Sequence, residues 1–102
     1  MPASFQFSAT VWQWMARRDA WFFVSVPEAI SDEIAARSEG LTGGFNSVPV
    51  TVTIGRTSWS TSIFPGGDGR YSLPLKKSVR RAEGVEHDGV VEVAIELRLS
   101  TP

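Results

Sequence analysis

The sequence predicts a mostly β fold: a barrel of about six or seven strands with two short helices, built from two similar halves. Three observations carry this reading. Several segments alternate apolar and polar residues with period 2. The connections between them are mostly short and rich in turn residues. Two proline-led segments break the alternation, and they repeat each other at a constant offset of 47 residues.

Taken in order, FQFSATVW (5–12) puts Phe5, Phe7, Ala9 and Val11 on one face of a strand. ARRDA (16–20) reads as its turn and WFFVSV (21–26) as the return strand. PEAISDEIAARS (27–38) reads as a helix, with Pro27 at its first position and Ile30 and Ile34 one turn apart. Its acids Glu28, Asp32 and Glu33 lie toward the N-terminal end, where the helix dipole favours them. VPVTVTIG (48–55) alternates cleanly, Val48, Val50, Val52 and Ile54 facing one way. WSTSIF (59–64) and RYSL (70–73) are two short strands around PGGDG (65–69), where Asp68-Gly69 is expected to supply the positive φ angles of a tight hairpin. PLKKSVRRAEG (74–84) reads as a second helix, from Pro74 to a C-capping Gly84. Lys76, Lys77, Arg80 and Arg81 cover one broad face of it, with Val79 and Ala82 on the other. VVEVAIELRL (90–99) closes the series with Val91, Val93, Ile95, Leu97 and Leu99 on one face.

The repeat gives these elements an order. Ser25-Val26-Pro27, Ser31 and Ala35 match Ser72-Leu73-Pro74, Ser78 and Ala82. Each copy leads into a strand with the rhythm V-x-V-x-I: Val50, Val52, Ile54, then Val91, Val93, Ile95. The chain reads as a single domain over 1–102 with an internal pseudo-repeat, about 4–56 and 57–99. Two copies make no solenoid. They suggest one barrel with a pseudo-two-fold axis.

Composition narrows the function classes. A chain of 102 residues is long enough for one core without covalent staples. Its net charge of −1 creates no global field toward DNA or an anionic membrane, so any basic patch must be local. With no cysteine there are no disulfides and no thiolate chemistry. No apolar run is long enough to span a bilayer, and MPASFQFSATVWQWMARR has none of the features of a signal peptide. The expected compartment is the cytoplasm.

W-F-F-V-S-V-P (21–27), V-P-V-T-V-T-I-G (48–55), W-S-T-S-I-F-P-x-G-D-G-R-Y-x-L-P (59–74) and V-R-R-A-E-G-V (79–85) together resemble the bacterial and archaeal domain-of-unknown-function family nineteen-oh-five. The resemblance covers about residues 4–99. One departure is His87-Asp88-Gly89, where the family usually has a Gly-Asp pair leading into the last strand. The resemblance implies a double-split β-barrel, related to the swapped-hairpin barrels of AbrB-like and MazE-like DNA-binding proteins. Those are homodimers in which each chain supplies half a barrel, with a "G-R-x-x-L/I-P, helix, G-D, strand" layout that Gly69-Arg70-Tyr71-Ser72-Leu73-Pro74 matches. The duplication would let one chain supply both halves, so a monomer is expected ahead of a weak dimer. The resemblance implies a fold and no activity.

The residues themselves argue against catalysis. His87 is the single histidine, in a polar turn, and neighbours such as Asp88 on an extended chain tend to point apart. Ser58, Ser60, Thr61 and Ser62 have no identifiable base. Glu92 and Glu96 share one strand face roughly 13 Å apart, with no pocket to tune either. One histidine and no cysteine make no zinc site, the acids lack calcium-loop spacing, and no cofactor is expected. The glycine-rich PGGDGR loop lacks the P-loop lysine and reads as a hairpin turn.

Two surfaces remain. Arg70, Lys76, Lys77, Arg80 and Arg81 are the candidate nucleic-acid or anion contacts, although the duplicate helix carries Asp32 and Glu33 instead and the plain reading is a solvated face. Trp12, Trp14, Trp21, Trp59 and Tyr71 are the candidate ligand or partner surface, with the cationic Arg17-Arg18 turn close to the first two. Most of these aromatics are expected to be buried. The function expected is a non-catalytic binding or interaction module for a protein or small ligand. Nucleic-acid binding through the basic helix is the alternative, less favoured. A third reading is a small-molecule or enzyme-accessory domain with a cleft near Trp21, Trp59 and Tyr71.

Overall fold

Alternation becomes strand wherever one face of a segment has a core to meet. The structure, a computed structural model, describes residues 4–16, 19–40 and 46–98. In chain order the elements are β1 (Ser4–Thr10), β2 (Trp12–Ala16), β3 (Asp19–Ser25), α1 (Glu28–Ser38), β4 (Val48–Ile54), β5 (Thr57–Pro65), β6 (Tyr71–Pro74), α2 (Lys77–Glu83) and β7 (Val90–Leu97). The predicted class holds: mostly β, seven strands, two short helices.

The strands form one antiparallel sheet in the order β1-β7-β4-β5-β6-β3-β2, curled into a half-barrel. β1 and β2 are consecutive in the chain yet lie at opposite ends of the sheet. The predicted single strand 5–12 is therefore divided at Val11. There the chain leaves β7 and joins β3: the Val11 N–H donates to the Gly89 carbonyl (2.8 Å), and the Val11 carbonyl accepts from the Asp88 N–H (2.9 Å). Val11 is fully buried at this crossing.

The core follows from the pleat, which sends alternate side chains to opposite faces. Val48, Val50, Val52 and Ile54 of β4 are all buried, and β7 meets them with Val93, Ile95 and Leu97. Ile34 of α1 and Val79 of α2 join the same core. Among the described residues two polar side chains are buried, Ser31 and Ser38, and Ser31 links elements. The Ser31 hydroxyl donates to the Val26 carbonyl and accepts from the Tyr71 N–H, both at 3.1 Å, so α1 is tied to the β3 and β6 strand ends without an orphaned buried atom.

Several local expectations need correction. The first hairpin is tighter than ARRDA suggested, because Met15 pairs with Ala20 and Ala16 with Asp19, the ladder continuing while it can satisfy backbone groups. Arg17-Arg18 and Leu99 lie outside the described residues. Pro27 is the N-cap of α1 rather than its first helical residue. Pro74 belongs to β6, opposite Phe23, and the hold on β3 continues through Leu75, whose N–H donates to the Phe22 carbonyl at 2.8 Å; α2 therefore starts at Lys77. Gly84 does cap α2, at φ 62°. In the 65–70 loop only Gly69 has a positive φ (78°). Asp68 acts instead through its side chain, its Oδ1 accepting the Arg70 N–H at 3.0 Å, while the Gly66 N–H closes the loop onto the Arg70 carbonyl. Ala82, expected on the core side of α2, is exposed, since a two-turn helix buries only the stripe around Val79.

Candidate anion-binding cleft

The sheet is split beside its shortest strand. β6 has four residues, between β5 with nine and β3 with seven. β6 pairs with β3 only as far as Phe23↔Pro74, and with β5 only at Phe64↔Ser72 and Pro65↔Tyr71. Trp21 and Phe22 on β3, and Trp59 to Thr61 on β5, thus run on past the end of β6 with no strand between them. The start of α2 lies over this gap.

The result is a cleft of about 380 Å³. Trp21 and Phe22 of β3, Trp59, Ser60 and Thr61 of β5, and the cations Lys76, Lys77 and Arg80 are among the residues lining it. No aspartate or glutamate lines it. Trp59 is 8% exposed, a wall belonging to the core, whereas Trp21 is 51% exposed and leans on solvent. Arg80 is held in place: its Nε donates to the Leu75 carbonyl at 3.1 Å, and its guanidinium lies 4.0 Å from the centre of the Phe22 ring. The terminal nitrogens of that guanidinium keep their donors for another partner. Lys76 and Lys77 are exposed. The ion pairs found among the described residues, Glu33–Arg37 and His87–Asp88, use none of these cations.

The predicted site residues are thus brought together only in part. Lys76, Lys77 and Arg80 meet Trp21 and Trp59. Arg81 is exposed outside the cleft. Arg70 does not extend the basic face. Its Nε donates to the Val26 carbonyl at 3.0 Å, and it lines a separate cleft of about 550 Å³ with Trp12, Ser25 and Asp88 at the Val11 crossing. Tyr71 is a core residue, 9% exposed, because the alternation of β6 turns it and Leu73 inward. Trp12 is half-buried, stacked on Phe23 with centroids 4.7 Å apart, and its indole N–H donates to Ser25 Oγ at 3.0 Å. Trp14 is 54% exposed and sits directly across from Trp21 on the hairpin. Phe22, Ser60 and Thr61 were not among the predicted contact residues; Ser60 and Thr61 were weighed only as nucleophiles. Nothing in WFFV marks Phe22 as Arg80's partner, since that contact depends on where α2 lands.

His87 and Asp88 do meet, contrary to the extended-chain expectation. Asp88 has φ 66°, and in this bent turn His87 Nε2 lies 3.4 Å from Asp88 Oδ1. Both are well exposed, with side-chain exposures of 50% and 76%. Among the described residues no three His, Asp or Glu side chains cluster as metal ligands, and no helix is long and apolar enough to cross a membrane.

No curated protein matches the chain. The family described as Domain of unknown function (DUF1905) matches residues 7–95, nearly the whole length, a span that takes in the split strands, the short β6 and α2 of this chain. The chain belongs to the DUF1905 family.

Proposed function

We propose that this protein is a non-catalytic binding module that holds a small organic anion in the cleft between β3, β5 and α2. One observation carries the reading: two indoles, a phenyl ring and three cations converge on one concavity that no carboxylate lines. A concave, mainly apolar surface with a few convergent polar groups is the usual form of a small-ligand site. Here the polar groups all favour negative charge. The aromatic surface gives contact area at low entropic cost, and Arg80, already ordered on Phe22, gives directed donors.

The nucleic-acid reading keeps one point in its favour, the exposure of Lys76, Lys77 and Arg81 without an acidic partner among the described residues. It loses Arg70, which is engaged elsewhere. A handful of cations on one short helix supports only weak, salt-sensitive attraction to phosphates.

Chemical-shift mapping separates the two. Titration with a mixture of small organic anions at near-physiological salt should move the Trp21 and Trp59 indole signals and the Thr61 and Lys76–Arg80 amides. Shifts centred on Trp12, Ser25 and Asp88 would move the site to the other cleft. A response to duplex DNA that survives the same salt would favour the nucleic-acid reading.

A further inference from the structure

We infer that the ligand of this cleft is a nucleoside monophosphate or a close chemical equivalent: a planar ring joined to a single dianionic phosphate. The inference rests on the proposed function and assigns its ligand class. Three features narrow the choice.

The first is the amount of charge. Lys76, Lys77 and Arg80 line one cleft with no acid to offset them. A monocarboxylate neutralises one of the three. A phosphate presents about two charges at neutral pH and three strong acceptor oxygens. Arg80 is pinned through its Nε, so its terminal nitrogens form a fixed fork, and such a fork suits two oxygens of a phosphate better than a diffuse charge does. Lys76 and Lys77, on flexible stems at the mouth, can close on the remaining oxygen.

The second is the nature of the opposite wall. Trp21, with half its surface open, lines the same cleft as Trp59, whose indole belongs to the core. An aliphatic phosphate would leave the Trp21 indole uncovered. A purine or pyrimidine would stack on Trp21, as bases do on the aromatic side chains of proteins that bind them this way. Thr61, which shares the Trp59 face of β5, has a hydroxyl that can hydrogen-bond the polar part of the ligand between ring and phosphate.

The third is size. About 380 Å³ lies near the lower end of the roughly 300–1,000 Å³ range of ligand pockets. That favours a mononucleotide and disfavours a dinucleotide cofactor. It also disfavours a polynucleotide, whose successive phosphates would need cations beyond those of one cleft.

The test compares four probes by NMR at near-physiological salt: adenosine 5′-monophosphate, adenosine, inorganic phosphate and benzoate. The expected result is saturable shifts at the Trp21 and Trp59 indoles and at α2 with the monophosphate. Its affinity should exceed that of adenosine or phosphate alone by about tenfold or more, because ring and phosphate contacts add. The double substitution Lys76→Gln, Lys77→Gln removes only exposed charge. It should weaken the monophosphate about tenfold and leave adenosine unchanged. Benzoate or phosphate binding as tightly as the monophosphate would overturn the nucleoside-phosphate assignment while leaving an anion cleft in place. Monophosphate binding unaffected by the double substitution would overturn the assigned phosphate contacts. No response at the cleft to any of the four would overturn both this assignment and the proposed function.

Discussion

Arg80 shows how a residue from a charged run acquires a position. Its charge alone reads as part of a solvated helix face. Its geometry is different: Nε donates to the Leu75 carbonyl, and the guanidinium carbon lies 4.0 Å from the centre of the Phe22 ring. A planar, multi-donor guanidinium makes both contacts at once and keeps a fork of free donors, which a single ammonium nitrogen does not. Arg80→Lys keeps the charge and should still cost about 1 kcal/mol of stability, measured by urea denaturation. Phe22→Leu should lose a similar amount, and the double variant should lose less than the sum, because the two share one contact. Fully additive losses would mean that Arg80 and Phe22 act separately. A lysine variant as stable as the parent would mean that charge alone matters.

At the scale of elements, α2 is short and needs anchoring at both ends. Its N-terminal end follows directly from the Leu75–Phe22 backbone bond. Its C-terminal end is tied to the β4–β5 hairpin: Thr57 Oγ1 donates to Glu83 Oε2 at 2.5 Å, and the Glu83 carboxylate sits over Gly55. Gly55 has φ 59°, and a Cβ there would collide with Glu83 Oε1. Gly55→Ala should therefore cost about 2 kcal/mol, left-handed strain together with the Thr57–Glu83 hydrogen bond lost when the carboxylate swings aside. In a Glu83→Ala background the same change should cost only about 1 kcal/mol, the strain alone. Equal costs in both backgrounds would mean that the close approach has no energetic weight. This anchoring was invisible in the sequence, where Gly55 is an ordinary turn glycine and Glu83 an ordinary helix acid. The strands were legible because their apolar residues meet the core on one face only, as VPVTVTI does residue by residue. The break at Val11 was not, because alternation runs through it unchanged; which neighbour a strand pairs with is decided by the whole sheet. Pro74 misled for a related reason. Proline suits a helix start and a strand end equally well, and the β3 pairing chose between them.

For the whole molecule, the sheet order ranks the strands by support. β4 and β7 are paired on both sides and carry the most buried residues. β2 is paired on one side only, and so is the part of β3 that precedes Phe23, apart from the Phe22–Leu75 bond. The wall of the candidate cleft that carries Trp21 thus belongs to the least supported part of the sheet. Local opening energies follow such differences in burial and pairing. Amide hydrogen exchange should be slowest at Val50, Val52 and Ile95, close to the rate set by global unfolding. It should be much faster along Trp12–Trp14 and Trp21–Phe22, through opening of the hairpin alone. A ligand seated between Trp21 and α2 stabilises only the closed hairpin, so saturating ligand should slow exchange there and leave the β4–β7 pair at its global limit, shifted only by the overall gain in stability. One common rate for β2 and β4 in the free protein would mean that the half-barrel opens as a single unit. The split beside β6 would then be a feature of shape without a matching weakness in the sheet.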